Sequence, residues 1–151
     1  LLSGGVRVGN EWDITMSDVA TKAAKQAYEQ AELGPKDVDL CELHDCFTAA
    51  ELVHYENLGF CGRGEGGRFI KEGRSGMNGD VAVNPSGGLL AKGHPLGATG
   101  VAQVCEVAWQ LRGQAGPRQV ENSRVGMTHT MGGAVSGAET GACSIHILVR
   151  E

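Results

Sequence analysis

Two hydrophobic periods alternate along the chain. From Asp13 to Leu33 the apolar positions Val19, Ala20, Ala23, Ala24 and Ala27 recur at three- and four-residue spacing, which predicts a helix. Thr15 and Asp18 fit a capping box at its start, and Gly34-Pro35 stops it. Its apolar face is built of small residues, so it is expected to pack closely on a sheet. Val38 to Leu43 reads as a short, mostly apolar strand with Asp39 and Glu42 on opposite faces. It runs into His44-Asp45-Cys46-Phe47. A second helix follows, with Thr48 and Glu51 as a capping box, Leu52, Val53 and Tyr55 inside it, and Gly59 as its stop. Cys61 to Gly79 is rich in glycine and charge. It is expected to be an exposed excursion with Arg63, Arg68, Lys71 and Arg74 in solvent, a role in holding an anionic cofactor being the weaker reading. Val81 and Val83 suggest a short strand. From Ala98 to Arg112, Val101, Val104, Cys105, Ala108 and Leu111 repeat at helical spacing, and Gly113 caps the helix. Arg124 to Thr128 reads as a strand leading into a His129-Thr130-Met131-Gly132-Gly133 loop. Ala142 to Val149 reads as the last strand, paired with its predecessor, with Cys143, Ile145, Ile147 and Val149 on one side. This order predicts an α/β fold of layers, a mixed sheet flanked by helices.

Bulk properties narrow the function. The 151 residues fit one domain with a sizeable core. A net charge of −5 with no dense basic cluster argues against nucleic acid as partner. No apolar run approaches the ~20 residues of a membrane span. Five cysteines, an odd number without disulfide-type spacing, fit a reducing, cytoplasmic setting. The chain opens on Leu1 with no signal-peptide pattern, and LLSGGVRVGN reads like the end of something. It is therefore expected to belong to a longer protein, with 1–12 as a tail or linker and 13–151 as the folded domain.

Candidate chemistry concentrates in Asn84 to Gly100, NPSGGLLAKGHPLGATG, where five of seventeen residues are glycine. So many glycines let the backbone take positive φ and approach another group closely. His94 can donate, accept or act as a base near neutral pH, and Pro95 holds its backbone extended. The following helix can aim unpaired N–H groups at the same point, so the stretch suits oxyanion stabilisation. It equally suits a tight connection, and Gly93, Gly97 and Gly100 lack the spacing of a dinucleotide fingerprint. Three segments, His44 to Phe47, Gly93 to Pro95 and His129 to Gly133, fall at or near element ends, where they can converge on one pocket. A cysteine beside a histidine can serve as base, acid or nucleophile. Cys46 has a plainer reading as a core residue at a helix start, and His44 as a loop cap. Cys41, Cys61, Cys105 and Cys143 read as packing thiols, and Cys41, His44, Cys46 and Cys61 as a poor zinc set. His54 is expected on a helix surface.

NPSGG, GHPLGATG and HDCF together resemble the C-terminal half of a thiolase, from about Asp13 to the chain end. HDCF, where most thiolases have NEAF, resembles the branch of sterol carrier protein x-type thiolases and bacterial lipid-transfer proteins. The resemblance implies catalytic roles for His94, Cys46 and His44. His94 matches the histidine of the family's GHP motif, which activates the acyl-accepting cysteine and helps hold the thioester oxygen. His44 matches the asparagine that positions an oxyanion-hole water. Cys46 takes over the acid/base role, because the usual C-x-G loop is here Thr130-Met131-Gly132. Gly132 keeps a backbone N–H for the second oxyanion hole. Two such holes are needed because both steps of acyl transfer create an oxyanion.

The resemblance implies an acyltransferase of lipid or sterol metabolism, with a coenzyme A thioester as substrate and no permanently bound cofactor or metal. The nucleophilic cysteine belongs to the N-terminal half, so this chain alone is expected to be inactive. Residues 1–12 would be the tail of that half. A homodimer is also implied. A second reading keeps the fold as a steroid side-chain aldolase subunit working with a small partner protein. A third is a non-catalytic lipid-binding module, whose mark would be loss of site residues.

Overall fold

The computed structural model describes residues 2–3, 18–136 and 139–151. In chain order its elements are β1 (Leu2–Ser3), α1 (Asp18–Ala31), β2 (Leu40–Glu42), α2 (Thr48–Asn57), α3 (Gly66–Lys71), β3 (Ala82–Val83), α4 (Gly88–Lys92), α5 (Thr99–Leu111), β4 (Val125–Ser136) and β5 (Glu139–Val149). The strands form one mixed sheet in the order β1-β5-β4-β2-β3. β2 runs parallel to both β3 and β4, while β5 is antiparallel to β4 and to β1. Thr15, half of the first expected capping box, lies outside the described residues.

Alternation along the strands gives the sheet two apolar faces. Cys41, Met127 and the partly buried Ile145 and Ile147 pack on one face with Ala24 and Tyr28 of α1, Tyr55 of α2 and Phe69 of α3. Val19, Ala20 and Ala23 continue that layer over Met131 and Cys143, so the small-residue stripe of α1 does lie close on the sheet. On the opposite face Leu40, Ala82 and the partly buried Leu148 meet Val107 and Leu111 of α5. Fully burying side chains of this kind stabilises by about 1.5–3 kcal/mol each. Gly126 allows the approach, since a Cβ there would run into Val107. The result is a layered helix–sheet–helix unit. No helix among the described residues is long and apolar enough to cross a membrane.

Three local expectations change, and α5 takes an orientation that its period alone did not give. The Thr48–Glu51 capping box does not form: Phe47 is the N-cap, without a side-chain cap, and Glu51 instead accepts from the Tyr55 hydroxyl. The 61–79 stretch is not a bare excursion, because α3 buries Phe69 under the Arg74 guanidinium, 4.7 Å from the ring centroid. Arg74 is paired with Asp80, and Arg68 with Glu65 and Glu72. The His129–Gly133 segment is no loop but lies inside β4, paired with β5 from Val125↔Val149 onward. On α5, Val101, Val104 and Trp109 are exposed, while Gln103, Glu106 and Gln110 are buried with Val107 and Leu111.

Candidate active site

The parallel pairing of β2 with β3 sends the loops after both strands from the same end of the sheet. This carboxyl end is where open α/β sheets place their sites. β4, parallel to β2, continues past that end and brings His129 alongside. Three polar links then lock the two loops together. The Asn84 side-chain carbonyl accepts the Leu43 N–H at 2.8 Å. The buried Glu42 carboxylate accepts from the Ser86 N–H at 3.0 Å and the Ser86 hydroxyl at 2.6 Å, with Lys92 Nζ 3.6 Å away. The buried Asp45 carboxylate accepts the Leu89 N–H at 2.7 Å and the Leu90 N–H at 3.3 Å, capping α4 from across the site. Gly88 has φ +61°, and a Cβ on it would overlap that carboxylate, so the second glycine of NPSGG is required by Asp45.

The locked loops bring His44 and His94 into contact, with ring centroids 4.8 Å apart and planes at 81°. His94 is exposed and follows the C-cap Gly93 of α4. Its Nδ1 lies 2.9 Å from Thr99 Oγ1, and that hydroxyl lies 3.3 Å from the Pro95 carbonyl. A hydroxyl has one proton to give. With it on Pro95, Thr99 accepts from His94 Nδ1–H, which leaves the His94 Nε2 lone pair as a base. This tautomer is assigned from the hydrogen-bond partners.

Burial, and then the neighbouring His94, push the His44 pKa down, against a weaker upward pull from Asp45. His44 is thus a neutral imidazole at neutral pH, able to donate one N–H. Cys46 is half-buried at the start of α2. Burial raises its pKa, the N–H groups of Cys46 itself and Phe47 lower it, and Asp45 raises it, for a net upward shift. Its thiol therefore keeps its proton and is poised as an acid rather than as a resting thiolate. His94 and His44, in contact, can act as a base and a neutral donor, and Cys46, two residues beyond His44, can give a proton.

Gly132 is exposed within β4, opposite Ala142. Among the described residues no hydrogen bond joins it to His44, Cys46 or His94. Its neighbour Thr130 turns toward α5, donating to Gln103 Oε1 at 2.5 Å. The Thr130 hydroxyl is thus tied to a buried side chain. His54 is not on the surface as expected: it is 6 % exposed, with its ring against His129 at 4.5 Å between centroids. Thr99 and Gln103 shape the site without having been singled out from the sequence, whereas Asp45 and His129 were read only as members of segments expected to converge there. The hint for Asp45 was a carboxylate next to a turn that opens a helix, and for Thr99 a hydroxyl just beyond the GHP turn.

Known proteins share this arrangement of elements. Residues 5–144 match the family model described as thiolase C-terminal domain-like. The chain is 49 % identical over 148 residues to an acetyl-CoA acetyltransferase of Methanothermobacter thermautotrophicus, covering 98 % of this chain and 37 % of that protein. It is 52 % identical over 115 residues to sterol carrier protein 2 of Rattus norvegicus, covering 76 % of this chain and 21 % of that protein. Among solved structures, an Ltp2-ChsH2(DUF35) aldolase superposes with a TM-score of 0.77 at 28 % identity, over 91 % of this chain and 33 % of that one. The chain thus spans between about a fifth and two fifths of the curated relatives it matches.

Proposed function

The chain belongs to the thiolase C-terminal domain-like family, and from that premise we propose that it is the C-terminal domain of an acyltransferase moving acyl groups to or from coenzyme A in lipid or sterol metabolism. The observation that carries the reading is the ring contact of His44 with His94, with Cys46 two residues on, in loops locked by Glu42, Asp45 and Asn84. The His94 Nε2 lone pair takes the proton of the acyl-accepting thiol. His44 and His94 then donate to the oxyanion that forms at the thioester carbon. The Cys46 thiol gives and retakes the proton at the substrate carbon. Gly132 supplies a backbone N–H for the second oxyanion.

The nucleophilic cysteine comes from the N-terminal half of the protein, so this chain alone turns over no substrate. Two of its five thiols, Cys41 and Cys143, are buried in the core, and Cys46 holds its proton. The outer side of α5 offers that half a place to rest. Val101, Val104 and Trp109 are exposed there, beside a groove of about 750 Å³ bordered by Lys92, Cys105 and Arg118.

In the full-length protein, Cys46→Ala is expected to remain acylated by a thioester, read by intact mass. Steady-state condensation or cleavage falls about 10²- to 10⁴-fold, the usual contribution of a general acid–base group. Full turnover by Cys46→Ala would remove the acid/base role. The likeness to the aldolase favours a second reading, an aldolase subunit working with a small partner protein. A full-length protein that never becomes acylated, yet breaks a carbon–carbon bond when the partner is added, would establish it instead.

A further inference from the structure

Two buried imidazoles behind the site have no part in the chemistry above. His129 on β4 is fully buried and His54 on α2 nearly so. Their ring centroids are 4.5 Å apart, with planes at 60°. His129 also meets the site directly, since the His44 backbone N–H donates to His129 Nδ1 at 3.3 Å. An accepting nitrogen carries no proton. Burial first, then His54 and His44, hold the His129 pKa well below the ordinary range, so the ring is neutral. A neutral ring with a bare Nδ1 has its proton on Nε2. That nitrogen and His54 Nδ1 are both buried, and neither has a hydrogen-bond partner among the described residues. A spare N–H thus sits in a ring that touches another ring with an unpartnered nitrogen.

The place of this contact in the sheet explains why a side chain is needed. β2 pairs with β4 only as far as Glu42↔Thr128. One step further on β4 is His129, and two steps further on β2 is His44, whose buried N–H has run out of ladder partners. The imidazole supplies the acceptor that the strand no longer does. Gln103 braces the same residue from α5, donating to the His129 carbonyl at 3.1 Å.

We propose that His129 is a positioning residue of the active site: its Nδ1 fixes the backbone of His44, and the His54 ring against it sets its orientation, so that the His44 imidazole keeps its edge-on contact with His94. The proposal rests on the reading above, in which His44 and His94 work together. Leucine at 129 has similar bulk but leaves the His44 N–H buried and unpaired, whereas asparagine offers an oxygen near the place of Nδ1.

The test compares these two variants in the full-length protein. His129→Leu is expected to lower kcat about 10- to 100-fold with little change in KM, while His129→Asn stays within about threefold of wild type. Equal losses in both variants, or a loss confined to KM, would overturn the proposal. Nitrogen-15 NMR of the wild-type histidine rings adds a readout that needs no variant to fold. A proton on Nε2 and none on Nδ1 of His129 at neutral pH supports the proposal, and a proton on Nδ1 overturns it. Failure of the underlying reading has a different mark, namely full turnover by His94→Ala and Cys46→Ala.

Discussion

At the scale of the residue, His54 sits where a positive charge is poorly tolerated. Burial, and then the nearby His44, push its pKa from the ordinary 6.5 down to about 4. The unfolded chain therefore takes up a proton at higher pH than the folded one. This gives folding stability that is complete above 6.5 and is lost as pH falls toward 4. The loss from this group alone reaches about 3 kcal/mol at the lower end, since each tenfold change in proton affinity is worth about 1.36 kcal/mol. Glu42 and Glu51 oppose it, because burial raises their pKa values and the folded chain holds those protons more tightly. Urea unfolding across this range should show a steeper acid decline in wild type than in His54→Phe. Parallel curves would mean that His54 bears no such penalty. Single residues were legible where local context dictated chemistry. His94 is framed by glycine and proline, and HDCF follows a strand. Asp45 was not legible as a tether, because its partners, Leu89 and Leu90, lie more than forty residues away.

At the scale of the element, α5 shows what periodicity can and cannot say. Its helical period was plain, as was the alternation of β5, and both elements exist. The period did not say which side faces the sheet, because an apolar stripe can serve either the core of its own domain or a surface for another. Here the buried side mixes Val107 and Leu111 with polar side chains that are engaged. Gln110 donates to Glu106 Oε1 and the Arg118 carbonyl and accepts from the Val120 N–H. Arg118 grips the Glu106 carboxylate with two nitrogens at 2.8–3.0 Å. Such partners lie in a later turn, where no local pattern reveals them. Gly132 and Gly133 misled: they read as a loop, yet pairing with β5 keeps them within a strand. For this chain, Gln110→Leu should lower stability by about 2 kcal/mol by stranding buried donors and acceptors. Val101→Ser, on the outer side, should stay within about 0.5 kcal/mol of wild type. Urea midpoints check both, and a larger effect at Val101 would contradict this orientation of α5.

At the scale of the whole molecule, the layered α/β architecture followed from the order of the elements, because strands alternating with helices demand parallel pairing. β2, β3 and β4 meet that demand, and β5 turns back as the antiparallel neighbour. Parallel pairing is also what makes a site possible, since it sends segments distant in sequence from one end of the sheet. What no local pattern could give is the distance between the rings that those segments carry. The proposed chemistry depends on His44 and His94 acting together across their 4.8 Å contact. The most direct test is a double-mutant cycle on kcat/KM in the full-length protein, with His44→Ala, His94→Ala and the pair. Residues that serve one transition state are strongly non-additive, so the double variant should lose little more than the worse single one. Losses that multiply, each histidine acting without regard to the other, would contradict a shared site.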